Sequence, residues 1–201
     1  MIYLNYTDRF FFFTDKLNDI IVRNINKFKN LSIVYKIENN NLNINQFLKI
    51  KKFCKRNKIK IYYPDNIKTA IKLGADGLFI SSTNNKIYQP YKNSFKIIGS
   101  AHSQKEFFLK SKQKCSSIFL SPIFNNSKYL PNKILGIIKF NLMCLHWKNN
   151  LVALGGINEN NFKKIILTKS YSIGFISWIK NSNMKKPVYS FLNTRAFINY
   201  T

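Results

Sequence analysis

The sequence predicts a small (β/α)8 barrel that forms a single domain over residues 1–201. Three observations favour this fold class. Eight short apolar runs recur along the chain, most of them are continuously apolar, and segments with helical spacing lie between them. Continuous apolar strands are typical of a parallel sheet covered on both faces, and repeated strand–helix alternation indicates a barrel. An open doubly wound sheet is the alternative.

The eight predicted strands are rich in Ile, Phe, Val and Leu, as expected of buried strands. In chain order they cover residues 10–14, 31–37, 59–63, 77–81, 95–100, 117–121, 151–154 and 172–177. No low-complexity linker interrupts this series, which supports a single domain.

Helical patterns occur at residues 43–58, 65–77, 103–114, 158–170 and 188–200. In the first of these, apolar residues fall near one stripe with lysines opposite. In the second, Asp65 or Asn66 is the expected N-cap and Gly74 the expected stop. In the third, Ser103 followed by Glu106 forms a capping-box pattern. The sequence therefore supplies helices between most of the predicted strands.

The formal net charge of +25 is the strongest feature of the composition and raises the question of nucleic-acid binding. All but four of the 33 basic residues are lysines, whereas arginine is better suited to bidentate recognition of bases and phosphates. The lysines are also spread along the whole chain, and Lys, Asn, Ile, Phe and Tyr share A/T-rich codons. We expect weak, salt-sensitive binding of polyanions and no nucleic acid as the main partner.

The apolar runs are shorter than the roughly 20 residues that span a bilayer, and residues 10–13 are not followed by a cleavage-site pattern. Cys54, Cys115 and Cys144 lie far apart without metal-binding spacing, so we expect buried, reduced thiols and no zinc. These features predict a cytoplasmic protein without a membrane anchor.

Gly155 and Gly156 end the seventh predicted strand. In a (β/α)8 barrel the active site lies at the carboxyl ends of the strands, and a phosphate commonly binds at the loops after the last two. Glycine leaves room for a phosphate oxygen to reach backbone N–H groups. A turn that needs a positive φ is the alternative, but the position after the seventh strand favours a phosphate.

Other polar residues also follow predicted strands. His102 comes after the fifth strand, where it is suited to general acid/base catalysis, with capping of the next helix as the alternative. Ser127 and Lys128 come after the sixth strand and could hold a second side of the same anion. Asp65 comes after the third strand, and we favour helix capping over metal binding for it. The candidate site therefore lies at one rim of the barrel.

Acidic residues are scarce, with eight in the chain. A Mg²⁺ site made of two carboxylates could draw on little besides Asp65 and Glu38. His146, beside Trp147 late in a helical stretch, is interpreted as a packed surface histidine.

Five segments, in order and at barrel spacing, are similar to the thiamine phosphate synthase/TenI superfamily: LGADGLFI, IIGSAHS, IFLSPIFNNSK, LVALGGIN and IGFIS. The resemblance runs from about Ile61 to Ser177 and implies a small TIM barrel of thiamine biosynthesis that binds a thiazole phosphate. It assigns the thiazole phosphate to Gly155, Gly156, Ile176 and Ser177. It also implies that Ser100 lines the site, that Ser127 and Lys128 hold a diphosphate, and that Asp65 is a metal ligand.

Three positions depart from the synthase pattern. The second strand has Tyr35, Lys36 and Glu38 where synthases usually have a Gln-x-Arg-x-Lys pattern, and Pro64 replaces the asparagine before Asp65. The second metal-binding aspartate falls in the segment SSTNN, where Ser82, Thr83 and Asn84 carry no charge. The features for the thiazole phosphate are retained and those for the diphosphate are lost.

This asymmetry favours a TenI-like thiazole phosphate tautomerase, with metal-free proton transfer by His102 as acid/base. The alternative is a thiamine phosphate synthase, which would use Mg²⁺ to condense hydroxymethylpyrimidine diphosphate with thiazole phosphate. A third hypothesis is a non-catalytic barrel that binds a phosphorylated ligand or a polyanion. A homo-oligomer is compatible with each of them.

Overall fold

A computed structural model describes residues 9–37, 43–88, 95–127, 129–145 and 150–185. Eight parallel strands form a closed barrel in chain order, which confirms the predicted fold class. The strands are β1 Phe10–Thr14, β2 Leu31–Tyr35, β3 Lys60–Pro64, β4 Gly77–Ile80, β5 Lys96–Ala101, β6 Ser117–Leu120, β7 Asn150–Ala153 and β8 Ser172–Phe175. Phe10 closes the barrel, because it pairs with Leu31 of β2 on one side and with Ile173 of β8 on the other.

The helices pack outside the strands, and the described part of the chain also contains three short 3-10 turns. The helices are α1 Asp19–Ile25, α2 Ile44–Arg56, α3 Ile67–Lys72, α4 Gln104–Lys112 and α5 Gly136–Leu145, and the 3-10 turns are Pro131–Lys133, Phe162–Leu167 and Trp178–Lys180. Helices α2, α3 and α4 match the predicted segments, whereas α1 was not predicted. The helix predicted at 188–200 and the position of His146 lie outside the described residues.

The segment predicted as a helix at 158–170 is the 3-10 turn Phe162–Leu167 instead. The Asn158 side chain accepts hydrogen bonds from the N–H groups of Asn160 and Asn161. Asparagine side chains that bind nearby backbone compete with α-helical hydrogen bonding. The Asn-rich start of this segment therefore forms local turns, and the helix prediction there was wrong.

Side-chain caps define where four helices begin. The side chains of Asn18, Asn43, Asn66 and Ser103 each accept the N–H of the residue three positions later, at the starts of α1, α2, α3 and α4. Asparagine and serine are among the preferred N-cap residues because a short side-chain acceptor satisfies an otherwise unpaired helical N–H. Part of the asparagine richness of the chain therefore has a structural use.

The barrel interior is filled by aromatic and aliphatic side chains that alternate along the strands with residues facing the helices. Phe119 of β6 lies at its centre, with ring centroids 4.9 Å from Phe11 and 5.3 Å from Phe13, both in edge-to-face geometry. The buried members of this cluster are Phe11, Phe13, Val34, Tyr62, Ile98, Phe119, Val152 and Leu154. The strands therefore surround a well-packed core.

No helix among the described residues is long and apolar enough to cross a membrane.

The central position of Phe119 yields a stability prediction. Phe119→Ala should lower the free energy of unfolding by about 3–5 kcal/mol, because it leaves a cavity among fully buried rings. Phe108→Ala is the matched control, since Phe108 is 47% exposed, and it should cost about 1 kcal/mol or less. Chemical denaturation measures both, and equal losses for the two variants would contradict this packing.

Candidate functional site

The chain that leaves β6 connects the ends of β5 and β7 through its backbone. On the β7 side, the N–H of Ile123 donates to the carbonyl of Leu154 over 2.9 Å, and the N–H of Phe124 donates to the carbonyl of Gly155 over 3.1 Å. On the β5 side, the carbonyl of Ser121 contacts the imidazole of His102. The structure therefore brings His102 and the glycine pair to opposite sides of one backbone segment.

Gly155 and Gly156 both have positive φ angles, of 91° and 71°. A Cβ on Gly155 would lie 2.9 Å from the Cα of Pro122, and a Cβ on Gly156 would lie 2.3 Å from the carbonyl oxygen of Phe124. Contacts this short are incompatible with a side chain. The close approach of the loop after β6 thus requires glycine at both positions. The positive φ, which the sequence analysis gave as the alternative explanation, requires it as well.

The N–H groups of Gly155 and Gly156 are not used by this packing. No acceptor in the described part of the chain hydrogen bonds to either of them. Successive N–H groups in turns with positive φ form a concave surface that suits anions. The Asn161 side chain fixes the loop from outside by donating to the carbonyl of Gly156 over 2.7 Å. The glycine pair can therefore offer two main-chain donors to a ligand.

Ile176 and Ser177 follow β8, which pairs with β7. Ile176 is half-buried against the barrel-interior cluster, whereas Ser177 is exposed. Ser177 precedes the turn Trp178–Lys180, and its carbonyl accepts the N–H of Lys180. The two predicted phosphate loops therefore lie on neighbouring strands.

His102 is exposed beyond the end of β5, and its Nδ1 lies 2.8 Å from the carbonyl oxygen of Ser121. A carbonyl oxygen can only accept, so Nδ1 carries the hydrogen, and the neutral ring keeps its lone pair on Nε2. Its backbone N–H donates to the Glu106 carboxylate over 2.6 Å, while Ser103 is the N-cap of α4. The imidazole therefore does not cap the helix.

The remaining predicted binding residues, Ser100, Ser127 and Lys128, differ in their positions. Ser100 is buried, and it faces the barrel interior because Ile98, two residues earlier on β5, belongs to the interior cluster. Ser127 is exposed at a turn after β6, and Lys128 lies outside the described residues. Ser100 therefore lies inside the barrel, below the carboxyl ends of the strands, and Ser127 lies on the surface.

Asp65 is not the N-cap of α3, because Asn66 fills that position, and the capping prediction for Asp65 was wrong. Asp65 has a positive φ of 52°, and its carboxylate points to the loop after β4. Its Oδ1 accepts from the N–H of Ser81 at 2.8 Å, the hydroxyl of Ser81 at 3.1 Å and the amide of Asn84 at 2.8 Å.

These contacts do not fit a Mg²⁺ site. Mg²⁺ requires oxygen ligands in near-octahedral geometry, whereas the atoms facing Asp65 Oδ1 are hydrogen-bond donors. Within the described ranges, no group of three or more His, Cys, Asp or Glu residues could hold a metal ion. Glu38 lies outside those ranges.

Several other titratable groups of the barrel are wholly or partly buried. Burial lowers the pKa of Lys110 and raises the pKa of Tyr88. Burial also raises the pKa of the Cys54 and Cys115 thiols to about 12, so they stay protonated and unreactive at neutral pH. Cys144 is half-buried, and none of these three cysteines, all within the described ranges, forms a disulfide.

A cavity of about 460 Å³ lies at the opposite end of the barrel. Its lining includes the lysines 51, 55, 58 and 60 together with Cys54 and Asp76. These residues surround the amino ends of β3 and β4, where barrel enzymes do not place their chemistry. The cavity is therefore separate from the candidate site.

Sequence reasoning missed the roles of Ser121 and Pro122. Ser121 and Pro122 act through backbone atoms and close packing, for which residue types give little signal. The strand order does carry one signal. In a barrel the sixth strand lies between the fifth and the seventh, so the loop after it must lie near the loops after its two neighbours.

The closed parallel barrel places the chain among the (β/α)8-barrel proteins, and the comparisons narrow that class. A model described as thiamine monophosphate synthase (TMP-TENI) matches residues 32–179. The thiamine-phosphate synthase of Staphylococcus epidermidis is 30% identical over 152 residues, covering 72% of this chain and 71% of that protein. The thiamine-phosphate synthase of Clostridium acetobutylicum is 29% identical over 142 residues, covering 69% and 67%.

A solved structure, the thiamine phosphate pyrophosphorylase from Pyrococcus furiosus, has a TM-score of 0.71 at 16% identity and covers 94% of this chain and 95% of its own. At this identity the match supports the fold alone. The chain belongs to the thiamine monophosphate synthase (TMP-TENI) family, whose members act in thiamine biosynthesis. The relatives are named as synthases, which favours the synthase alternative over the tautomerase.

The contact between Gly156 and the β6 loop predicts a strong effect of one methyl group. Gly156→Ala should lower the free energy of unfolding by at least about 2 kcal/mol, because strain at a positive φ is combined with a backbone clash. Gly136→Ala is the matched control: Gly136 has a φ of 64°, and a Cβ there would meet nothing within 4 Å. Thermal unfolding compares the two, and equal losses would show that the clash is unimportant.

Proposed function

We propose that the chain is an enzyme of thiamine biosynthesis that binds a thiazole phosphate at the carboxyl ends of β7 and β8. The observation that carries this proposal is the pair of Gly155 and Gly156 N–H groups that no acceptor in the described chain uses. The adjacent end of β8 supplies Ile176 and Ser177 as further contacts. A phosphorylated small-molecule substrate agrees with the expected cytoplasmic location.

Two reactions on this ligand are candidates. The first is thiamine phosphate synthesis, in which hydroxymethylpyrimidine diphosphate is condensed with the thiazole phosphate. The names of the relatives support it. Ser127 and Lys128 would hold the diphosphate, and Asp65 would have to exchange its present donors for Mg²⁺, the cofactor expected for that reaction.

The second candidate is tautomerisation of the thiazole phosphate, supported by the geometry of His102. The Nε2 lone pair would take a proton from one ring position and return it at another, so no net proton is gained or lost. While Nε2 is protonated, the Nδ1–H bond to Ser121 would stabilise the positive charge and hold the ring in place. Ser100, below the rim, would contact the bound ring.

Incubation with both substrates and Mg²⁺ distinguishes the two reactions. If the chain is a synthase, thiamine phosphate forms and Asp65→Asn reduces kcat by at least about a hundredfold, since one charged metal contact is lost. If it is a tautomerase, the isomeric thiazole phosphate is converted without Mg²⁺, and Asp65→Asn changes kcat by less than about threefold. Mass spectrometry and NMR of the products report each outcome. If neither thiamine phosphate nor the isomeric thiazole phosphate is formed, the proposal that the chain is an enzyme is contradicted.

The role of His102 is tested by two substitutions. For tautomerisation, His102→Ala and His102→Asn should each lower kcat by about 10²–10⁴-fold, the usual contribution of general acid/base catalysis. Binding of the thiazole phosphate should persist in both variants. His102→Asn is the control, because its amide can still donate to the Ser121 carbonyl. An active Asn variant would instead assign His102 a structural role.

A further inference from the structure

Asn84, in the loop after β4, links that loop to Asp65. Asn84 uses both of its amide hydrogens, donating over 2.8 Å to Asp65 Oδ1 and over 2.8 Å to the hydroxyl of Tyr88. Its side-chain oxygen accepts the N–H of Lys86 over 3.0 Å. Turning the amide over would lose all three bonds and would place its oxygen against the carboxylate. The donor side of Asn84 is therefore fixed toward Asp65.

Tyr88 adds a second connection between the same two segments. Its hydroxyl receives one Asn84 hydrogen and donates its own to the backbone carbonyl of Asp65 over 3.1 Å. Ser81 contributes the two further bonds to Asp65 Oδ1 described above. Asp65, Ser81, Asn84 and Tyr88 thus form one hydrogen-bonded group, here called the β3–β4 latch.

Two buried side chains of α4 and its C-cap support the latch from below. Lys110 and Gln113 are 0% and 1% exposed, and each donates to the carbonyl of Asn84, over 2.9 Å and 2.8 Å. Gln113 also donates to the carbonyl of Lys86 over 2.8 Å. Gly99 leaves space for Lys110, because a Cβ there would lie 2.9 Å from its Cδ. Since buried polar groups are costly to leave unpaired, these hydrogen bonds fix the position of the loop after β4 relative to α4.

We propose that Asn84 replaces a divalent cation beside Asp65, so that the β3–β4 latch closes this rim without a metal. The amide supplies the positive partial charge that the carboxylate needs, and the loop reaches Asp65 directly. The identity of residue 84 then decides whether this rim binds a metal.

The chemistry of an aspartate at position 84 illustrates this dependence. In the same geometry, a carboxylate oxygen would face Asp65 Oδ1 at the 2.8 Å now spanned by the amide. Two carboxylates at such a distance must either share a proton, which leaves only one of them ionised, or hold a cation between them. Asn84→Asp should therefore create a cation site that the native chain lacks.

Titration with Mn²⁺, followed by electron paramagnetic resonance, tests this inference without substrate. The native chain and Asp65→Asn should bind Mn²⁺ equally weakly, whereas Asn84→Asp should bind at least about tenfold more tightly. Asn85→Asp is the matched control: it adds the same charge at an adjacent, exposed position and should behave like the native chain. Mn²⁺ should also raise the unfolding temperature of Asn84→Asp and not that of Asn85→Asp.

Native Mn²⁺ binding that disappears in Asp65→Asn would overturn the inference, and so would an Asn84→Asp variant that binds no better than Asn85→Asp. If Asn84→Asp does not fold, the comparison of the native chain with Asp65→Asn still decides the question. The inference rests on the proposed function only for its meaning in catalysis. Since the titration contains no thiazole phosphate, its failure is distinguishable from a failure of that function.

Discussion

The backbone that leaves β6 is the constraint on which the candidate site depends. It accepts the imidazole hydrogen of His102 through Ser121, and it hydrogen bonds to Leu154 and Gly155 beyond β7. Its Phe124 carbonyl lies where a Cβ of Gly156 would be. Because these contacts are made by main-chain atoms, they are insensitive to most substitutions in the loop and sensitive to any side chain on the glycines. The spacing between His102 and the glycine pair is therefore set by the backbone that leaves β6.

This arrangement gives the two glycines two uses. Their missing side chains allow the β6 loop to approach and a positive φ to be adopted, and their N–H groups have no acceptor among the described residues. The packing of the β6 loop and the proposed phosphate contact thus depend on the same two residues. Asp65 differs from the glycines, because its carboxylate belongs to the internal hydrogen bonding of the β3–β4 latch. The glycine N–H groups after β7 have no acceptor among the described residues, whereas Asp65 Oδ1 already accepts three hydrogen bonds from the protein.

The fold could be predicted because its signals are local. Continuous apolar strands and a cap such as Ser103 depend on neighbours in the sequence. The surroundings of Asp65 could not be predicted, because Asn84 reaches it from the loop after β4. Asn84 is in turn held through its backbone carbonyl by Lys110 of α4. The prediction of a capping aspartate failed since the adjacent Asn66 is an equally good cap. The glycine pair lay between these cases: its position was predictable, but its contact with Phe124 was not.

The most direct test of the account is the amide NMR spectrum of the ¹⁵N-labelled chain during titration with thiazole phosphate. The account predicts that the Gly155 and Gly156 amide signals shift downfield and saturate together with that of Ser177, as expected for N–H groups that bind a phosphate. Saturation of these signals should survive moderate salt. Shifts confined to the lysine-lined cavity at the other end of the barrel, with the two glycine signals unchanged, would contradict it.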